Sequence, residues 1–252
     1  MTWSIVARDP ATGHLGVAVA SRFFAVGAIV PHSRGGVGAV ATQAFVNPLY
    51  GVDGLAALAA GRDPEEIVAE LTARDEGRDQ RQMHLVDARG RNAAFTGAQC
   101  VDWAGHLVED NVSVAGNMLA GPQIVAETLA TYRKAAAKPF VERLLEAMQA
   151  GEDAGGDKRG RQSTALVVHR DQDYAWLRLH ADDHVDPLAE LRRLHAVAKE
   201  RYLHVAETMA TRQNPSGLTD RRGIDATVAA LEAERIAAGR PSASFATPPR
   251  TR

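Results

Sequence analysis

Cysteine is almost absent: Cys100 is the only one in 252 residues. No disulfide can close within the chain, which is the usage expected in a reducing compartment. An excess of either charge is also missing. Lys and Arg number 29 against 31 Asp and Glu, a formal net charge of −2. Nothing global therefore calls for nucleic acid or an anionic membrane surface. No apolar run reaches the roughly 20 residues of a transmembrane helix. The N-terminus lacks the basic-then-apolar pattern of a secretion signal. No internal repeat stands out. These absences point to a cytoplasmic protein that binds neither membrane nor nucleic acid.

What is present suits a globular domain. Hydrophobic residues make up 45% and charged residues 24%, enough for a sizeable core at this length. Residues 3–8 (WSIVAR) and 14–21 (HLGVAVAS) alternate around the turn run DPATG and read as a β-hairpin. A second strand pair is expected at 26–31 (VGAIVP) and 36–43 (GVGAVATQ), joined by HSRG. Helical spacing takes over at 52–61. It resumes after Asp63-Pro64-Glu65-Glu66, an N-cap, a first-position proline and two acids. Strands return near 82–87, 93–96, 105–109 and 111–115. Two helices within 121–150 divide at Lys138-Pro139. After the polar loop GEDAGGDKRGRQ come the strands STALVVHR and YAWLRLHA, then a long helix over 187–211. A short helix near 223–238 follows, and 241–252 reads as disordered. Short turns between paired strands favour antiparallel sheet, and the helices come in pairs. The order predicts an α+β fold with two sheets between helical layers, a main domain over 1–211 and an extension over 212–252.

A strand that begins at the second residue is unusual, because termini fray unless tied down. One answer is that the terminus is the tool. With Met1 removed, Thr2 carries a hydroxyl and a free α-amine, a nucleophile with its own base. The plainer reading is a small residue that permits Met1 removal. Ser4, on the same face of the strand, is the weaker alternative nucleophile.

Five stretches together resemble one bacterial family: T-x-S-I-V-A-R-D, A-V-A-S-R-F, G-V-G-A-V-A-T-Q, G-N-M-L-A-G and D-K-R-G-R-Q-S. It is the domain-of-unknown-function family 1028, described as Ntn-hydrolase-like. The resemblance spans about residues 2–211. It implies a four-layer αββα sandwich whose first strand opens on a catalytic Thr, Ser or Cys. It also implies an amidohydrolase acting on a small non-peptide amide, with Thr2 as nucleophile.

Other residues take expected roles around Thr2. Antiparallel pairing brings Arg22 beside it, as the similarly placed Arg of conjugated bile acid hydrolases stands beside their nucleophile. Proteasome subunits carry a Lys after the second strand, and here no Lys precedes Lys134. Asn117 is the candidate oxyanion donor, or else a turn cap. Thr42 and Gln43 are expected to line the pocket. Asp157, Arg159, Arg161, Gln162 and Ser163 form a substrate-orienting loop or a solvated one; with Arg22, its arginines suggest an anionic group on the substrate. Asp182, Asp183 and His184 have the types of a divalent-metal site, but the run also reads as a strand end and helix start, so no metal and no cofactor is expected. G-V-G-A-V-A imitates a dinucleotide fingerprint without the helix that should follow. His32, His84 and His106 show no ligand spacing, and Cys100 reads as packing. A small-molecule partner and a homodimer complete the expectation; the apolar positions of the 187–211 helix suit either core or interface. The competing reading is a non-catalytic binding protein on the same scaffold; a metal-dependent hydrolase at 180–184 is the third.

Overall fold

The computed structural model describes residues 2–246. They form two compact units, dividing between Leu191 and Arg192. That boundary lies inside the helix that the sequence assigns whole to a 1–211 domain. Among the described residues no helix is long and apolar enough to cross a membrane.

The first unit holds ten strands in two antiparallel sheets. One sheet has six strands: β1 (Thr2–Arg8), β2 (Leu15–Ser21), β7 (Gly105–Glu109), β8 (Val112–Asn117), β9 (Ser163–His169) and β10 (Leu177–Ala181), in the order β10-β9-β2-β1-β8-β7. The other has four: β3 (Pro31–Arg34), β4 (Gly38–Ala44), β5 (Arg81–Asp87) and β6 (Asn92–Thr96), in sequential order. Helices α1 (Leu49–Ala59) and α2 (Pro64–Ala73) cover the outer face of the small sheet, and α3 (Gln123–Lys134) and α4 (Phe140–Asp153) that of the large one. The result is the α+β four-layer αββα sandwich that the resemblance implies.

Local chemistry explains most element ends. Asp9 closes the first hairpin by accepting from Ala11 N and Thr12 Oγ1, while Gly13 takes a left-handed φ of 75°. Asp63 caps α2 through Glu65 N at 2.9 Å. Helix α1 starts three residues before the expected 52, because Asn47 Oδ1 accepts from Leu49 N at 3.1 Å and Pro48 precedes the first turn.

One strand was misplaced from sequence. Residues 26–31 do not form one: Val26–Ala28 is a 3₁₀ turn, entered through Ala25 at φ 52°. Tertiary partners capture this segment, with Val26 N donating to Ser163 Oγ and Ala25 N to the Asp182 carbonyl. The strand is instead Pro31–Arg34, which includes most of the expected HSRG turn. A local apolar pattern cannot register such distant acceptors.

Side-chain alternation sorts the core into layers. On β1, Trp3 and Ile5 face α3 and α4, while Thr2, Ser4 and Val6 face the small sheet. One half of the space between the sheets is hydrocarbon: Val6, Val17, Val19, Ala39, Ala41, Val86 and Ala165. The other half, toward Thr2, is polar. That contrast locates the site.

In the second unit a helical run continues as one π-helical turn over Ala198–Tyr202 and a short α6 (Leu203–Ala206). It ends before the expected 211. The helix α5 (Pro187–Val197) precedes it, and α7 (Arg222–Ala237) lies close to the helix expected at 223–238. Glu200 ties down the following segment by accepting from Ala243 N and Ser242 Oγ. Of the run expected to be disordered, residues 247–252 lie outside the described ones, and 241–246 carry no regular element.

Candidate active site

Strand pairing sets four polar residues in one row at one end of the large sheet. Ser163 pairs with Ser21, Ser21 with Thr2, and Thr2 with Asn117. Directly opposed residues share a face, so all four project between the sheets. The Thr2 and Ser21 hydroxyls are 3.0 Å apart. Thr2 keeps 8% of its surface exposed, whereas Ser4 one step deeper keeps none.

Three chain segments leave the strands at this end through strained backbone. Ala25 (φ 52°), Ala44 (φ 70°) and Met118 (φ 54°) all sit in the left-handed region without being glycine. They lie just beyond Arg22, Gln43 and Asn117. The fourth such residue, Asn111 (φ 68°), occupies the β7–β8 turn, where asparagine is at home. Left-handed alanine costs roughly 1–2 kcal/mol, and such outliers gather at functional sites.

The 157–163 loop clamps the segment that follows β2. Asp157 Oδ2 accepts from Arg22 N at 2.9 Å, and Oδ1 accepts from Arg159 N at 2.8 Å. Gln162 N donates to the Ser21 carbonyl at 3.2 Å. Ser163 Oγ donates to the Phe23 carbonyl and accepts from Val26 N. These contacts place Asp157, Gln162 and Ser163 beside Thr2 as supports for the Ser21–Arg22 backbone. The arginines do not converge on one point. Arg159 pairs with Asp157, and Arg161 with Glu152 and Asp186. The Arg22 side chain is exposed and has no ion-pair or hydrogen-bond partner among the described residues.

Thr42 and Gln43 point to opposite faces of β4. Thr42 Oγ1 turns away from the site and donates to the Asn47 carbonyl at 2.9 Å. Gln43 faces the large sheet, where its Oε1 accepts from Ser4 Oγ at 2.7 Å. Asn117 is the last residue of β8, and instead of capping the following turn its Nδ2 donates to Gln82 Oε1 at 3.1 Å.

The structure adds Ser21, Gln82 and Ser113, unassigned from sequence, and His84, considered from sequence only as a metal ligand. His84 Nε2 is 2.8 Å from Ser4 Oγ, and its Nδ1 is 3.0 Å from Ser113 Oγ. The serine–histidine–serine line imitates a catalytic triad. All three side chains are fully buried, so no substrate carbonyl reaches Ser4. Burial, reinforced by nearby His106, holds the His84 pKa at about 3, far too low for a base near neutrality. The line is structural, and Ser4 drops behind Thr2 as nucleophile. A sequence clue did exist. Gln82 and His84 alternate with Met83 and Leu85, so β5 is polar on one face, yet both faces are covered.

The 182–184 run serves the helix start. Asp186 Oδ1 caps α5 through Ala189 N at 3.1 Å, His184 Nδ1 accepts from Asp186 N, and Asp183 accepts from Gln162 Nε2. Among the described residues no three His, Cys, Asp or Glu side chains are grouped to hold a metal. G-V-G-A-V-A lies in the turn and strand of β4, with no helix opening on it. Cys100 is half-buried, its Sγ near the Arg81 carbonyl, and burial raises its pKa.

The model of a family of unknown function, DUF1028, matches residues 2–191. The chain belongs to the DUF1028 family. A crystal structure of a DUF1028 protein from Silicibacter pomeroyi is 31% identical with a TM-score of 0.81, covering 87% of this chain and 96% of that one. Anbu, an ancestral β-subunit from Yersinia bercovieri, aligns over 83% of this chain and 98% of its own at 11% identity and a TM-score of 0.38, too distant to speak to function. No curated protein matches. For a DUF1028 member, then, kinship defines the fold and the site must be argued from its geometry.

Proposed function

We propose that this DUF1028 protein is an amide hydrolase of the N-terminal-nucleophile kind, acting on a small non-peptide amide. The observation that carries the reading is the in-register row Ser21–Thr2–Asn117 at the partly open end of an otherwise buried interface. Once Met1 is removed, the Thr2 α-amine, with an ordinary pKa near 7.7–8.0, takes the Oγ1 proton directly or through water. Ser21 orients that hydroxyl. Attack on the amide carbonyl forms a tetrahedral oxyanion, which the remaining Nδ2 hydrogen of Asn117 stabilises. The α-ammonium returns its proton to the departing amine, leaving an ester on Thr2. Water, activated by the same amine, hydrolyses the ester and regenerates the hydroxyl. The unpaired Arg22 guanidinium, one residue beyond Ser21 in the chain, suits an anionic substituent on the substrate.

Intact mass and one variant test this. The recombinant protein is expected to lack one methionine. Against a panel of small N-acyl amides, the wild type should release amine, and Thr2→Ala should lose at least about a thousandfold of that rate while melting normally. An active, folded Thr2→Ala protein refutes the reading. Retained Met1 with no turnover would favour the binding-protein alternative.

A further inference from the structure

Gln82 is the hub of the polar half of the interface. Its side chain is wholly buried. Nε2 donates its two hydrogens to the Gly116 carbonyl at 2.9 Å and the Gly105 carbonyl at 3.1 Å, with Thr96 Oγ1 at 2.9 Å sharing one of them. A backbone carbonyl can only accept. The two carbonyls therefore dictate which way the Gln82 amide faces, a choice that is otherwise ambiguous for such groups.

Everything downstream follows from that orientation. Gln82 Oε1 must receive hydrogens, and it does so from Gln43 Nε2 at 2.7 Å and Asn117 Nδ2 at 3.1 Å. Gln43 thus turns its own Oε1 to Ser4, whose hydroxyl donates. Ser4 Oγ is left to accept from His84 Nε2, and His84 Nδ1 to accept from Ser113. Asn117 is held with its nitrogen inward, one hydrogen spent on Gln82 and one left over. Reversing Gln82 would set Asn117 Oδ1 where Nδ2 now stands.

We propose that Gln82 is a positioning residue for the reaction, holding Asn117 as a hydrogen-bond donor at the oxyanion site. This rests on the reading of Asn117 given above. The alternative is a polar cluster that serves packing alone. Against it stands the other half of the same interface, which the fold fills with Val17, Val19, Ala39, Ala41 and Val86. Away from the candidate site the interface is mainly hydrocarbon, with Ser33–His169 and Ser113–His84 as local polar contacts. The linked carboxamides Gln43, Gln82 and Asn117 instead end on the residue paired with Thr2.

Gln82→Met keeps the length of the side chain and removes its acceptor. Two measurements on the full chain follow. The first is hydrogen exchange of the Asn117 side-chain amide in ¹⁵N-labelled protein. It should accelerate at least about tenfold, with the backbone amides of β1 and β8 unchanged. The second is acylation of Thr2 by an aliphatic β-lactone, followed by intact mass, set beside periodate cleavage of the terminal amino alcohol. The lactone reaction builds an oxyanion and should slow about tenfold; periodate cleavage builds none and should not change. Unchanged Asn117 exchange, or equal slowing of both reactions, overturns the proposal. If the wild type resists the lactone altogether, the nucleophile reading fails, while Asn117 exchange still decides the role of Gln82. Should Gln82→Met not fold, Thr96→Val loosens the same amide and is expected to give the same pattern, reduced to a few-fold.

Discussion

Acid should destabilise this protein through its buried histidines, and His84 allows the effect to be isolated. In the folded chain its pKa is held at about 3, first by burial and then by His106, with the Ser113 hydrogen bond opposing only in part. In the unfolded chain it titrates near its ordinary 6.5. Below that pH the unfolded state binds a proton that the folded state refuses, so stability falls as pH falls. The loss is about 1.4 kcal/mol per pH unit, continuing down to the folded pKa, and between pH 7 and 5 it totals roughly 2 kcal/mol for this one group. His84→Gln retains a donor and an acceptor but cannot take the proton. Its imperfect bonds to Ser4 and Ser113 should cost about 1–3 kcal/mol at pH 8. The signature is in the slope. Urea unfolding at several pH values should show the wild type losing about 2 kcal/mol more than the variant between pH 7 and 5. His169, held at about 4 chiefly by burial, contributes with the same sign in both proteins and cancels in the difference. Identical pH dependence in the two would refute the claim that His84 is a neutral, dry link between the sheets.

Three further outcomes are expected. Asp157→Ala strips the acceptor from Arg22 N and Arg159 N and should lower stability by about 2–3 kcal/mol in urea melts; a change under about 0.5 kcal/mol would mean the loop does not clamp the site. Ala44→Gly, at φ 70°, should leave stability unchanged or raised by up to about 1 kcal/mol, because the relief of left-handed strain offsets the added freedom of the unfolded chain; a clear loss would argue against strain there. Thr42→Val removes the bond to the Asn47 carbonyl and should cost about 1 kcal/mol while β-lactone acylation of Thr2 proceeds at the wild-type rate; slowed acylation would return Thr42 to the site.

The first hairpin, the α2 cap, the helix pairs and the strand β9 were legible because each has a pattern within a few residues. Thr2, Arg22 and Asn117 were also legible as candidates, but the direct pairing of Thr2 with Ser21 came only with the strand register. The 3₁₀ turn at Val26–Ala28 was not, since its partners Ser163 and Asp182 lie more than a hundred residues away in the chain. The division of Thr42 from Gln43 onto opposite faces was implicit in strand periodicity, yet which face met the other sheet depended on the register with β5. Arg159 and Arg161 looked like substrate contacts until their carboxylate partners were placed.

By itself, then, the sequence determined the alternation, the turns and the residue types at the start of β1. Only the tertiary structure decided that Gln82 and His84 meet Asn117 and Ser4 across the interface, and which way each amide faces. The physical reason is that hydrogen-bond direction inside a dry interface is set by the nearest group that can only accept. Here those groups are the carbonyls of Gly105 and Gly116, on strands that join this cluster only when the two sheets close.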